Sequence, residues 1–287
     1  MKSSRFALLL IPMLLLGLLP GCYFNGTHYV QYDNSADYAA GDFTYAAADV
    51  TEVVLHWVDG SIVLAESGKA ELSAGESGSG RLSKKQQMQH RLNDGVLEIY
   101  YCASGYRGDI HAKDKDLLLE LPAGVPLTVE SVSAPIEAAV LTSSQLTVNS
   151  VSGDVEIERL ESSSGTAIDT VSGEIELDFA VAGEGLTLLS VSGDISVEQL
   201  STEQLSAETV SGKLDIEITA CREAKLSTVS GASEIKLPAD GGTIRFTTAS
   251  GSLETQRAFQ QQENFYGFGP GDCRIIVESV SGNLRVA

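Results

Sequence analysis

The sequence predicts an all-β fold, a single-domain right-handed parallel β-helix, or solenoid, with coils of about 20 residues. Three observations predict it. The phrase Val-Ser-Gly recurs, successive copies begin 19, 20, 20, 19, 19, 20 and 31 residues apart, and alternating apolar and charged residues follow most copies. The copies, two of them degenerate, begin at Val132, Val151, Val171, Val191, Val210, Val229, Ala249 and Val280.

Two short strands are predicted in each repeat. Apolar residues stand at every second position after the glycine, as at Val155 and Ile157, and before it, as at Leu146 and Val148. A period of two is typical of a strand with one buried face. The chain must turn a corner between the strands, and glycine tolerates the positive φ that such a corner would need. The corner glycines are Gly153, Gly173, Gly193, Gly212, Gly231, Gly251 and Gly282.

A repeat of this size cannot bury its own apolar face, so neighbouring repeats must stack on one another. Stacking one repeat per coil gives a parallel β-helix. Right-handed winding is favoured because parallel crossovers are right-handed, and because the six-residue period of left-handed helices is absent. The alternative is an antiparallel sandwich or meander of short strands.

The chain divides into four segments. Residues 1–21 are predicted to form a lipoprotein signal peptide, 22–45 a polar tether, 46–120 the irregular N-terminal coils and 121–287 the regular coils. Residues 66–92 are rich in Ser, Gly, Lys and Gln and are predicted to form a loop. Residues 256–272 account for the longest step and are predicted to be one insertion of about 11 residues.

The N-terminus predicts export and a lipid anchor. Lys2 and Arg5 precede an apolar run that is too short for a comfortable membrane span. The Leu19-Pro20-Gly21-Cys22 segment resembles the bacterial lipobox, which implies cleavage before Cys22 and acylation of that cysteine. Tyr23 is not the aspartate that retains some lipoproteins at the inner membrane, so the outer membrane is favoured over the cytoplasmic membrane. The alternative is an ordinary cleavable signal.

The composition is strongly acidic. The chain has 39 Asp and Glu against 19 Lys and Arg, a formal net charge of −20, and removal of residues 1–21 with Lys2 and Arg5 would leave −22. Such a charge argues against nucleic acid and anionic lipid as partners. It also opposes self-association, so we expect a monomer.

Three cysteines remain besides Cys22. Cys221 and Cys273 share nearly the same phase of the repeat but lie two repeats apart. Coils about 4.8 Å apart would separate their Cα atoms by about 9–10 Å, whereas a disulfide needs less than about 7 Å. We therefore expect no simple Cys221–Cys273 bridge unless the insertion bends the chain back, and we assign no pairing to Cys102.

The repeats and their flanking motifs resemble a known family. The lipobox, the Leu-Pro-Ala-Gly-Val-Pro-Leu-Thr-Val segment at residues 121–129 and the tandem Ser-Gly-Asp/Glu-Ile/Val units are similar to the bacterial β-strand-repeat family of "putative adhesins", a domain of unknown function. The similarity covers residues 46–287. It implies a β-helical, envelope-associated domain and carries over no catalytic residue.

Stacking also aligns acidic side chains, such as Glu156 with Glu176 on the next coil. Carboxylates about 5 Å apart repel each other, and the nonapeptide calcium repeat is absent, so a solvated acidic face is favoured over a calcium site. The four histidines show no ligand spacing. The sequence therefore predicts no metal, no cofactor and no catalytic residue.

Aromatic residues of the insertion are the candidate contact residues. Phe259, Phe265, Tyr266 and Phe268 lie there among glycine and glutamine. Aromatic side chains on a loop are typical of contact patches. The same residues would also serve to cover one end or side of the solenoid, and the sequence leaves both interpretations open.

These observations favour a non-catalytic, membrane-anchored envelope lipoprotein that acts as an adhesin-like binding module for an unknown envelope or surface ligand. One alternative is a structural scaffold that self-assembles through the solenoid ends. The other is a carbohydrate-active enzyme, because some carbohydrate lyases are right-handed β-helices. Basic residues are sparse in the regular coils and form no arginine–acid cluster in the sequence, which disfavours the enzyme.

Overall fold

The structure is a computed structural model that describes residues 30–108, 115–255, 260–262 and 265–287. Over these residues the fold is all-β apart from two 3₁₀ helices, Ser35–Asp37 and Ala47–Asp49. The strands in chain order are β1 Ala39–Ala40, β2 Phe43–Ala46, β3 Glu52–Trp57, β4 Ser61–Glu66, β5 Glu71–Ser77, β6 Gln89–Asn93, β7 Val96–Tyr100, β8 Asp116–Leu121, β9 Leu127–Ser131, β10 Ile136–Ala138, β11 Leu141–Ser143, β12 Leu146–Ser150, β13 Val155–Ser162, β14 Gly165–Thr170, β15 Ile175–Ala182, β16 Gly185–Ser190, β17 Ile195–Thr202, β18 Gln204–Thr209, β19 Leu214–Ala220, β20 Glu223–Thr228, β21 Ser233–Lys236, β22 Gly242–Thr248, β23 Leu253–Thr255, β24 Gln260–Gln262, β25 Phe265–Phe268, β26 Cys273–Ser279 and β27 Leu284–Val286.

Two sheets enclose the core. Sheet A has the order β1-β6-β7-β3-β9-β12-β14-β16-β18-β20-β26-β22-β25-β24, and sheet B has the order β2-β5-β8-β4-β10-β13-β15-β17-β19-β21-β27-β23, with β11 also paired to β13. Every neighbouring pair from β7 to β22 in sheet A and from β8 to β23 in sheet B is parallel. The prediction of an all-β, solenoid-like fold is confirmed, and the antiparallel sandwich is wrong.

Equivalent residues of successive repeats pair with each other. In sheet B, Val155 pairs with Ile175, and Ile175 pairs with Ile195. The inward side chains, such as Ile168 of sheet A and Leu177 of sheet B, are fully buried. Full burial of one such side chain contributes about 1.5–3 kcal/mol. The core is therefore continuous along the stack, and each coil depends on its neighbours for it.

The corner glycines form one column down the molecule, but the predicted reason for them is wrong. None of the seven has a positive φ. A Cβ added to Gly173 would overlap the carbonyl oxygen of Gly153, and one added to Gly193 would overlap the carbonyl oxygen of Gly173. The same contact recurs along the column, so glycine is required because stacked backbones approach closely.

Hydroxyl groups of the residues before each Val-Ser-Gly hold the corners. Ser150 Oγ donates to the carbonyl oxygen of Gly153 at 2.8 Å, and the N–H of Gly193 donates to Ser190 Oγ at 2.8 Å. These hydroxyls are buried within the stack. Their hydrogen bonds satisfy backbone groups that the corner removes from the ladder of the sheets.

The last coil does not stack at the end of the solenoid. β26 lies between β20 and β22, and β27 lies between β21 and β23. The final repeat is thus inserted between the two repeats that precede it in sequence. The 31-residue step supplies the extra chain that this crossing needs, and part of it forms β24 and β25, an antiparallel extension of sheet A beyond β22.

The position of the final repeat between the two preceding repeats corrects the cysteine prediction. Because β20 pairs directly with β26, Cys221 and Cys273 lie on neighbouring coils with their Cα atoms 5.3 Å apart, and they form a disulfide. The expectation of a distance near two coil spacings assumed that coils stack in sequence order. Cys102 is buried and lies outside this disulfide.

The N-terminal end shows the same change of order and corrects two predictions. β3 and β4 lie beside β9 and β10, while β7 and β8 lie outside them. Residues 66–92, predicted as a loop, contain β5 and the start of β6, which pair antiparallel with β8 and β7. Residues 30–45, predicted as tether, contribute β1 and part of β2, and their Val30 and Phe43 are buried. The N-terminal segment therefore covers this end of the core.

Candidate binding surfaces

The predicted contact loop covers the end of sheet A in its described part. Phe268 is only 6% exposed, and Tyr266 is half-buried against the core. The ring of Phe265 lies 5.4 Å from the guanidinium carbon of Arg245 and 5.1 Å from that of Arg274. These positions fit the covering interpretation better than an exposed contact loop, and Phe268 in particular is a core residue.

Two predicted site residues, Cys22 and Phe259, lie outside the described residues. The anchor prediction for Cys22 therefore stays a prediction, as does a contact role for Phe259. Within the described part of the chain, we find no helix with the length and apolarity needed to cross a bilayer.

The outer face of sheet B is acidic. It carries Glu137, Glu156, Glu158, Glu161, Glu176, Asp178, Glu198, Asp215, Glu217 and Glu234. The predicted row of acids begins with Glu156 beside Glu176, but the inserted last coil places Arg285 beside Glu234, with 3.5 Å between nitrogen and carboxylate oxygen. Lys236 pairs with Glu217 at 2.9 Å. No cluster of three or more metal-ligand side chains occurs among the residues described.

The outer face of sheet A is different in character. From β9 to β18 its outward residues form two rows, which we call the sheet A strip. One row is Thr128, Thr147, Ala167, Thr187 and Ser206, and the other is Glu130, Asn149, Asp169, Leu189 and Glu208. All ten side chains are half-buried, because each lies between residues of the same register on neighbouring strands. Most side chains of the strip are small, and three of the ten are acidic.

Asp169 is the member of the strip that has a buried polar atom without a hydrogen-bond partner in the described chain. Its neighbours in register are Asn149 and Leu189, and neither donates a hydrogen bond to it. Its Oδ1 atom is buried and has no hydrogen-bond partner within the described chain. Burial raises the pKa of Asp169 to about 6. At neutral pH the group is therefore a carboxylate short of donors, and such groups call for an explanation.

Aromatic rings continue the second row beyond the N-terminal edge of the strip. His56 follows Glu130 in register and Tyr100 follows His56. The rings of Tyr100 and His56 stack with centroids 4.4 Å apart, Tyr32 stacks on Tyr100 at 4.0 Å, and His56 Nδ1 lies 2.8 Å from Glu130 Oε2. Burial raises the pKa of Tyr100 to about 12. Tyr100 is thus enclosed between other rings.

A second polar contact fixes the N-terminal segment to the same edge. Tyr38 donates from its hydroxyl to Glu98 Oε2 at 2.8 Å, and the guanidinium of Arg91 bonds the same oxygen. Burial acts to raise the pKa of Glu98, but the hydrogen bonds from Arg91 and Tyr38 outweigh it and lower that pKa. This network holds residues 30–40 against sheet A.

A buried ion pair lies under the N-terminal strands. Lys115 Nζ is 2.6 Å from Glu76 Oε2, with side chains 1% and 3% exposed. The ammonium also donates to the carbonyl oxygen of Gln86 at 2.7 Å and lies 4.2 Å from the ring centroid of Tyr101. Burial lowers the pKa of Lys115, and Glu76 opposes that shift. The pair ties β5 to the residue that precedes β8 and does not reach the surface, so it is structural.

Sequence reasoning missed Asp169 and the Lys115–Glu76 pair. For Asp169 a signal was available, because its position in the neighbouring repeats is occupied by Asn149 and Leu189, which cannot neutralise a carboxylate. For Lys115 and Glu76 no signal existed, because the two residues lie in irregular segments without a shared period.

Comparisons with known proteins agree with this architecture. A family model described as Toastrack DUF4097 matches residues 50–287. A crystal structure of a "putative adhesin" from Parabacteroides distasonis is 13% identical, with 88% of this chain and 98% of that chain covered and a TM-score of 0.51. At this identity the likeness supports the fold alone.

Two further solved structures are more distant. A "putative adhesin" from Bacteroides fragilis is 12% identical with a TM-score of 0.48, covering 86% of this chain and 96% of that chain. A "putative lipid binding protein" from Parabacteroides distasonis is 16% identical with a TM-score of 0.45, covering 85% and 95%. No protein with a curated description matches the chain in sequence.

Proposed function

Since the chain belongs to the Toastrack DUF4097 family, we propose that it is a non-catalytic, adhesin-like binding module of the bacterial envelope. Similarly folded proteins bear the name "putative adhesin", which agrees with this role. The proposal extends to a lipid anchor at Cys22, to residence in the outer membrane, and to right-handed winding with coils of about 20 residues, as parallel crossovers favour.

The observation that carries the proposal is the contrast between the two outer faces. Sheet B presents the ten carboxylates named above, some of them in ion pairs, and sheet A presents a strip of mostly small and mostly uncharged side chains. Both faces are mounted on one continuous core and repeat with the spacing of the coils. Repeat proteins use broad surfaces of this kind for binding, and a rigid surface lowers the entropy lost on binding.

Co-sedimentation with envelope material tests the binding role. The full chain in nonionic detergent is mixed with purified murein sacculi and, separately, with lipopolysaccharide vesicles. We expect saturable sedimentation with one of them that excess unlabelled chain displaces. Absence of saturable binding to both would reject the module, and release of shortened sugar chains would instead indicate an enzyme.

The anchor and the monomeric state are tested on the same chain. Labelled palmitate should enter the wild type but not a Cys22→Ser variant, and the wild type should fractionate with outer-membrane markers. Sedimentation velocity at low and high salt should give a monomer in both. High salt screens the net charge of −20 and so removes the repulsion that would keep a self-assembling scaffold apart. Assembly at high salt would favour the self-assembling scaffold.

A further inference from the structure

The sheet A strip offers polar groups that the protein does not use. The corner hydroxyls, such as Ser150 and Ser190, are all engaged within the stack. By contrast, no protein group in the described ranges hydrogen-bonds the side chains of one set of strip residues. These are Thr128, Thr147, Asn149, Asp169, Thr187, Ser206 and Glu208. Hydroxyl and amide groups both donate and accept, so the strip can bond a ligand that does the same.

Charge decides which kind of ligand fits this face. A basic partner would find the ten carboxylates named above on the outer face of sheet B, whereas the strip has three acids, one of which, Glu130, is bonded to His56. An acidic partner is opposed by the net charge of −20. An apolar partner would find only one large apolar side chain, Leu189. With basic, acidic and apolar partners disfavoured, the ligand class that fits the strip is an uncharged molecule rich in hydroxyl groups.

Asp169 adds a specific requirement at the centre of the strip. Its Oδ1 atom is buried without a hydrogen-bond donor from the described chain, and its neighbours Asn149 and Leu189 supply none to either carboxylate oxygen. Sugar hydroxyls are donors that carry no charge. An ionised carboxylate accepts such bonds about twice as strongly as a neutral acceptor does. A residue that is unfavourable for folding and favourable for binding is typical of a functional position.

We propose that the sheet A strip binds a neutral glycan chain that runs along the solenoid axis, with the Asp169 carboxylate accepting hydrogen bonds from its hydroxyls. This proposal rests on the proposed binding function and names its ligand class. The strip crosses five strands, a length of about 19 Å, which accommodates several sugar units. The small side chain of Ala167 lies beside Asp169 and leaves room for a sugar ring.

Biolayer interferometry tests the proposal with the full chain in nonionic detergent. The sensors carry biotinylated dextran, glucomannan or arabinogalactan, with poly-lysine and heparin as charged probes. We expect binding to at least one neutral polymer. Ala167→Arg fills the centre of the strip and should weaken that binding at least tenfold. The matched control is Val181→Arg, which places the same side chain on the outer face of sheet B, in β15, the next strand along the chain. This control should leave the binding within twofold of the wild type.

Each other outcome overturns the proposal. Neutral-polymer binding that Ala167→Arg leaves unchanged would place the glycan elsewhere. Binding to poly-lysine alone, weakened by Val181→Arg, would move the ligand to sheet B while the proposed function stands. Absence of binding to every probe rejects the glycan strip, and co-sedimentation with envelope material then decides the proposed function separately. Circular dichroism and thermal unfolding of both variants establish that they are folded.

Discussion

Replacing Asp169 with asparagine should stabilise the protein at neutral pH. Burial raises the pKa of this carboxyl from 3.8 to about 6. The folded state therefore binds the proton more tightly than the unfolded state does, so the ionised group opposes folding. The penalty is absent below the unfolded pKa, near pH 4, grows as pH rises towards 6, and is complete above about pH 6.

The magnitude follows from the size of the shift. About two pKa units correspond to about 3 kcal/mol. The side chain is only half-buried, and solvent screening reduces that figure to about 1–2 kcal/mol. Asparagine keeps the shape and carries no charge, and its amide can align with that of Asn149 on the adjacent strand, as ladders of such residues do. We therefore expect Asp169→Asn to gain about 1–2 kcal/mol at pH 7.5.

Urea unfolding of wild type and variant at pH 4.0 and pH 7.5 measures the effect. The gain should appear at pH 7.5 and be nearly absent at pH 4.0. Glu184, exposed in the turn between β15 and β16, provides the control, and Glu184→Gln should change stability by less than about 0.5 kcal/mol at both pH values. An Asp169→Asn protein no more stable than wild type at pH 7.5, or equally stabilised at both pH values, would refute the reasoning.

Three other perturbations have clear expected outcomes. Gly193→Ala drives a methyl group into a backbone oxygen and should cost about 3 kcal/mol in urea unfolding, whereas Gly165→Ala, with open space around it, should cost almost nothing. Reduction of the Cys221–Cys273 disulfide opens a span of 52 residues and should lower stability by up to about 4 kcal/mol; a reductant that leaves the urea midpoint unchanged would contradict this. Burial lowers the pKa of His90, so the folded state disfavours its charged form and loses stability as pH falls through about 6.5. Hydrogen-exchange protection of β2, which packs on His90, should drop between pH 7 and pH 5 in wild type but not in His90→Phe.

The repeat made the interior of this protein predictable. Period-two alternation identified the buried faces, as Val155 and Val148 show, and the common step identified the parallel stacking. The Ser or Thr before each Val-Ser-Gly recurs with the same period, and its hydroxyl bonds the corner backbone. These features follow from local pattern, because every coil meets the same neighbours in the same register.

The ends could not be predicted for the same reason. The edges of all coils are chemically alike, so the sequence of β26 is compatible with pairing to β20 or to β22. In the structure β26 pairs with both strands, and this outcome depends on three-dimensional packing. The disulfide prediction failed on this point. The N-terminal segment has no repeat pattern, so its packing through Val30 and Phe43 left no periodic signal.

The burial of Asp169 in the sheet A strip was missed for another reason. Asp169 is outward-facing, and outward acids are normally solvated. Its burial arises from Asn149 and Leu189, which lie beside it on the adjacent strands only once the coils have stacked.

Because the final coil lies inside the stack, two strands that precede it in sequence depend on it for their place in the fold. The strands β22 and β23 cannot join the stack of coils until residues 273–287, which form β26 and β27, have been synthesised. Assembly from the N-terminal end can therefore proceed coil by coil only as far as β21. A chain cut short before residue 273 would expose a bare sheet edge, the kind of surface that recruits other chains into aggregates.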